Sequence, residues 1–238
     1  EALNASSVHS MEVRMFWQLA LNLMGRSENT TLITGSALNE ANFLKNAPFM
    51  ALNKFLVVKS FACVHFGDHE LGAEMALKRG NGCYEAVPGC PCVMPDPFLR
   101  AMSLFFMARR KRGFKYRQAA YKARAIVEGW VQNGNPNIVH QLKLLDAERA
   151  ALLKKPEDAK RLYSEAARSA VRAGEIHDAG LASEHHADYL LQLQDKEGAS
   201  CQACVSIKFY SDWGATRKVE MLREKYKQLL QSGPPTNW

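Results

Sequence analysis

Apolar residues recur three and four positions apart along most of the chain, a period that marks helices and leaves no competing strand-like alternation. In the second half Leu142, Leu145, Leu152 and Leu153 fall on one side at helical intervals, as do Leu162, Ala166, Ala167, Ala170 and Val171. This pattern predicts helices over Asn137–Leu153 and Pro156–Ala173, flanked by pairs at Pro97–Lys111 with Lys115–Gln132 and at Ile176–Gln194 with Lys196–Trp213. A single capping helix is expected over Ala215–Gln231, before Gly233-Pro234-Pro235 ends regular structure. The first half is helical but less regular, with candidates at Ser10–Gly25, Ser36–Asn46, Phe49–Phe66 and Asp68–Arg79. Gly67 is expected to stop the third of these and Asp68 to cap the fourth.

Two landmarks keep a 40-residue step through the second half: Ala119, Ala159 and Ala199, and Gly134, Gly174 and Gly214. A fixed period of this size, filled with helix-forming sequence, is the signature of stacked helix pairs. The alanines let helix backbones approach closely, and the glycines supply the left-handed conformation just past a helix end. The fold class that follows is all-α, a right-handed array of antiparallel helix pairs (a tetratricopeptide-like α-solenoid) with a C-terminal capping helix. Residues 1–95 form irregular N-terminal repeats that end in the Gly/Pro/Cys loop Gly80–Pro97. Residues 96–231 carry the regular repeats and the cap, residues 232–238 are a tail, and the whole reads as one continuous domain.

Composition adds little to the fold and more to the surface. At 238 residues, 47% hydrophobic and 23% charged, the chain has ample material for a core. The apolar run Phe55–Val58 is broken by Lys59, so no stretch approaches the roughly 18 uncharged apolar residues of a membrane span. The opening Glu1–Ser10 lacks the basic start and apolar centre of a signal peptide, and the chain reads as part of something longer. Its six cysteines read as reduced, cytosolic thiols, which places the protein in the cytoplasm. The sequons at Asn4 and Asn29 are formal matches of a kind common by chance.

The net charge of +7 is concentrated. Arg109, Arg110, Lys111, Arg112, Lys115, Arg117, Lys122 and Arg124 lie in one window without an acid among them. Phe114, Tyr116 and Tyr121 are interleaved with these cations, a composition that suits phosphate contacts with stacking. The aromatics also fall near a joint between two helices, where packing would bury them. The window is then a solvated face, a dock for an acidic partner or lipid headgroups, or a nucleic-acid contact.

Other constellations are weaker. No Gly-x-x-x-x-Gly-Lys-Ser/Thr loop, His-Arg-Asp or Asp-Phe-Gly occurs in the sequence. Cys83, Cys90 and Cys92 with His65 and His69 supply zinc-type ligands but not a recognised spacing, and free thiols in a tight loop are the better account. Cys201 and Cys204 form a Cys-x-x-Cys inside a repeat helix, where buried cysteines stand in for alanine. His185 and His186 precede Asp188, but adjacent helical residues point to different sides, so they read as packing or surface histidines. No catalytic, cofactor or metal residue is assigned.

Several segments together carry a family resemblance. Gly134-Asn135-Pro136-Asn137-Ile138-Val139-His140 with Leu144-Leu145-Asp146-Ala147-Glu148 opens the series. Leu181-Ala182-Ser183-Glu184, Tyr189-Leu190 and Tyr210-Ser211-Asp212-Trp213-Gly214-Ala215 with Lys218-Val219 and Leu222 continue it. From about Asp96 to Tyr226 the chain resembles the tetratricopeptide-like helical region of large multidomain signalling proteins. There an AAA/STAND-type ATPase module precedes the helices, and a sensor region with a histidine kinase, serine/threonine kinase or related output domain follows. The resemblance implies a non-catalytic scaffold for protein–protein or interdomain contact and signal relay, its partners being other proteins or neighbouring domains of the same polypeptide. The alternative is a nucleic-acid or anionic-surface module centred on residues 109–124.

Overall fold

The computed structural model of the chain describes residues 2–86 and 89–231, with the side chains of residues 2–9, Tyr84 and Cys92 outside that description. It is all-helical, with 81% of residues in helix and no strand among those described. The helices are α1 (Ala2–Leu23), α2 (Glu40–Asn46), α3 (Phe49–Phe66), α4 (His69–Arg79), α5 (Gly82–Ala86), α6 (Asp96–Lys111) and α7 (Phe114–Gln132). They continue with α8 (Val139–Leu152), α9 (Pro156–Ala173), α10 (Ile176–Gln192), α11 (Lys196–Trp213), α12 (Thr216–Lys225) and α13 (Lys227–Gln231).

The chain condenses into two compact units, Glu1–Ala123 and Arg124–Trp238. The division falls inside α7 and not at the glycine- and proline-rich loop, because α6 packs on α3 and α4 and so belongs with the first half. In the first unit α3 is the central element: Phe55, Val58, Ala62, Cys63 and Val64 are all nearly inaccessible. By length and mean hydropathy (1.3) alone α3 is long and apolar enough to cross a membrane. Two-thirds of it is buried inside the unit, however, and its Lys59 is buried against Glu40 at 2.7 Å, as in a core helix. The loop before α6 is shorter than expected, since it holds α5 and a 3-10 turn at Pro91–Val93. Buried Asp96 anchors it, accepting from Arg100 Nε at 2.8 Å and from Arg79, while Arg100 also donates to Asn81.

In the second unit each helix packs on its sequence neighbour from α8 through α12, and α10 also touches α8. The helix ends show why α9, α10 and α11 are nearly equal in length. Positive φ recurs at Gly134, Lys154, Gly174, Gln194 and Gly214, so the glycine step of 40 residues marks every second turn of a 20-residue backbone step. At each position the left-handed residue donates its N–H to the carbonyl three back, at 3.0–3.1 Å. The next residue donates to the carbonyl five back, at 2.9–3.1 Å, completing the paired bonds of a Schellman turn. Glycine marks only alternate turns because lysine and glutamine accept the strain at the others.

The alanine landmarks are less uniform. Ala159 and Ala199 are fully buried, but Ala119 is half-exposed and Ala120 beside it is buried in its stead. Trp213 stacks on His177 with ring centres 5.0 Å apart, closing the joint between α10 and α11. The expected single terminal helix is broken at Tyr226, whose hydroxyl donates to Asp188 at 2.8 Å and whose ring is buried.

Gly174→Ala isolates the backbone contribution of a turn, because no atom lies within 4 Å of the added Cβ. It is expected to cost about 1 kcal/mol of unfolding free energy in urea titrations. Lys154→Gly should move stability the other way by a few tenths, since glycine's greater freedom in the unfolded chain offsets part of the relief. Changes of the same sign would contradict a left-handed turn at both positions.

Candidate functional site

The basic window is the first candidate, and the structure divides it. Helix α6 ends at Lys111, Arg112 adopts the left-handed conformation (φ 48°), and α7 begins at Phe114. Arg110, Lys111, Arg112, Lys115, Arg117 and Lys122 are exposed around this turn, and Arg109 is half-buried. Arg124 is not part of the surface: it is buried, donating to Asp146 at 2.7 Å and to Glu128 at 2.9 and 3.0 Å. Lys111 pairs with Glu70 of α4, with both partners about half in solvent, where such a pair contributes little.

The three aromatics of the window also part company. Tyr116 is buried and Tyr121 packs edge-on against Phe105 at 5.8 Å, as joint residues should. Phe114, against that expectation, is 66% exposed. The Arg117 guanidinium lies 5.5 Å from its ring centre, a cation–π contact within the turn itself.

Buried ionisable groups of the second unit form the other candidate. Glu148 of α8 is fully buried and accepts from the Tyr163 hydroxyl at 2.7 Å, and His185 Nδ1 lies 2.8 Å from the same oxygen. His186 stacks on Tyr163, so the adjacent histidines meet around one phenol–carboxylate pair and not on separate faces. Helix α10 packs on α8, α9 and α11, which buries more than one of its sides and brings both rings inward.

Further along, Glu184 is buried between Lys218 and Lys225, at 2.7 and 3.2 Å. Asp188 accepts from Lys225 at 2.7 Å, and Asp178 meets His140 at 2.7 Å and Gln141 at 3.1 Å. The separations in sequence run from 34 to 41 residues, so these pairs skip a helix, joining α8 to α10 and α10 to α12. They form a polar spine along alternate helices.

The charges are settled by this pairing. Burial alone would raise the Glu184 carboxyl, but Lys218 and Lys225 outweigh it and hold the group well below the ordinary carboxylate range. Burial opposes ionisation of Asp178 as well, and the hydrogen bond from His140 with the nearby His177 carries it downward. Burial lowers Lys218 despite Glu184 beside it. Each acid is engaged by a partner two helices away, an arrangement suited to bracing. Sequence reasoning missed the spine, although one signal was available: Glu148, Glu184 and Asp188 sit among apolar residues in segments otherwise patterned for burial.

The thiols do not converge. Cys83 is buried with Sγ 3.4 Å from the Asn53 carbonyl oxygen, and burial pushes its pKa up to about 11. Cys90 is half-exposed, and the side chain of Cys92 lies outside the described residues. His65 stacks on Phe61 and His69 on Phe106. No group of three or more potential metal ligands occurs among the described residues. Cys201 and Cys204 are free thiols on α11, half-exposed and not buried as expected.

A groove of about 470 Å³ lies along α9 and α11, floored by Ser183 of α10, with Arg168 and Arg172 beside Val171, Val205 and Phe209. No protein-family model, curated protein or solved structure matches the chain.

His186 yields a pH prediction. Burial lowers its pKa from 6.5 to about 4, against the weaker upward pull of Asp195. Between these values the unfolded chain binds a proton that the folded chain refuses, so stability must fall on acidification through that window and level off below it. The loss is roughly 3 kcal/mol. Glu184 and Asp178 have lowered folded values, so their contributions are lost only below the ordinary carboxylate range. His186→Phe, which keeps a ring against Tyr163, is expected to flatten the slope between pH 6.5 and 4 in denaturation series; an undiminished slope would assign it elsewhere.

Proposed function

We propose that the chain is a non-catalytic helical-repeat scaffold that mediates protein–protein or interdomain contacts and relays signals within a larger ATPase- and kinase-type signalling protein. Its second unit is read as a right-handed array of antiparallel helix pairs. The observation that carries this reading is the left-handed turn repeated every 20 residues from Gly134 to Gly214, which gives α9, α10 and α11 nearly equal lengths and gives successive helices the same return geometry. A repeating unit of this kind packs mainly on its neighbours, and its curvature responds to what is bound along it.

Two further features support the scaffold. The buried acids Glu148, Asp178 and Glu184 and half-buried Asp188 join helices to one another, so their chemistry goes into stiffness. The groove along α9 and α11 combines cationic Arg168 and Arg172 with half-exposed Val171, a mixed surface of the kind protein partners use. The relay role rests on the family resemblance, in which an ATPase-type module precedes the helices and a kinase or related output domain follows.

The complete reading frame that encodes these residues tests the relay directly. An ATPase-type module before them and a kinase-type or related output domain after them is the expected result. A frame carrying neither overturns the relay.

A further inference from the structure

We infer that the turn between α6 and α7 docks on an anionic lipid surface, with Phe114 as an apolar wedge and the surrounding cations at the level of the headgroups. The inference stands apart from the scaffold reading, which rests on residues 124–231. It begins from two facts of placement. Arg110, Arg112, Lys115, Arg117 and Lys122 are exposed and form no ion pair among the described residues, while Lys111 is paired to Glu70. Phe114, 66% exposed, is the most exposed aromatic of the window, Tyr116 being buried and Tyr121 half-buried.

The fate of the aromatics decides between ligands. Single-stranded nucleic acid is held by successive rings on which successive bases stack. Here Tyr116 is buried and Tyr121 is packed against Phe105, so no series of rings is presented. Phe114 itself has the Arg117 guanidinium over its ring. One apolar ring ringed by long cationic side chains instead matches the bilayer boundary, where aromatics sit at the interface and Lys and Arg extend toward phosphate. The acids on the neighbouring element are Glu70 and Glu74 of α4, of which Glu70 is engaged by Lys111, leaving the turn strongly positive. Each cation near an anionic leaflet strengthens binding about fivefold, and several act together within one Debye length.

Cosedimentation of the whole chain tests this with two kinds of vesicle: phosphatidylcholine alone, and phosphatidylcholine in which about a third of the lipid is phosphatidylserine. Binding to the anionic vesicles at low salt, lost at high salt and absent on neutral vesicles, is expected. Neutralising two unpaired cations, Arg110→Gln with Arg112→Gln, should weaken it about 25-fold. Phe114→Ala should weaken it about tenfold with an unchanged salt slope, because the lost contribution is apolar. All three positions are exposed or half in solvent at a helix end, so the variants keep the fold. Absence of binding to anionic vesicles at low salt, or equal binding by the variants, overturns the inference. Retention of a single-stranded oligonucleotide without retention of vesicles overturns it in favour of nucleic acid.

Discussion

A helix that ends in a left-handed residue with two carbonyls capped from beyond its end reverses the chain in a fixed geometry, and in the second unit this reversal comes every 20 residues. Helix length, helix pairing and the register of every contact between helices follow from that interval. The cost is visible at Lys154 and Gln194, which hold positive φ without glycine's freedom. Packing must then outweigh local strain at alternate turns. At Gly180 of α10 a Cβ would sit 3.1 Å from the Tyr210 ring, and Ser206 donates to the Gly180 carbonyl at 2.8 Å.

The polar spine depends on the same register. Glu148, Asp178, Glu184 and Asp188 are bonded to partners 34–41 residues away, a span that corresponds to two helices and two turns. Removing one partner would strand a buried charge, whereas replacing a whole pair by apolar groups of the same shape is often tolerated. Such pairs therefore specify which helices meet more than they add stability. In a scaffold that is the useful property, since it fixes where each face points.

Much of the second unit was legible in the sequence because its signals are local. Pro156 at a first turn, Gly174 and Gly214 just past helix ends, and leucine and alanine at helical spacing each act within a few residues. The intermediate turns at Lys154 and Gln194 were not legible, because neither residue type announces a left-handed conformation. The boundary after Ala123 was hidden as well, since it depends on α6 packing against α3 and α4 and not on the composition of the loop before it. At the basic window the sequence identified the cations but not their separation: Arg124 turns inward to Asp146 while Phe114 turns outward, a choice made by tertiary packing. The spine joins residues too distant in the chain for any local pattern to reveal.

The central claim is that the second unit is a repeat array held by neighbouring helices and not a single globular core. Site-resolved native-state hydrogen exchange tests it most directly. Opening free energies that are lowest in α12 and α13, rise through α11 and peak in α9 and α10, with the end helices opening independently of α8, are the predicted result. Exchange of every slow amide from α8 to α12 at one common opening free energy would contradict it.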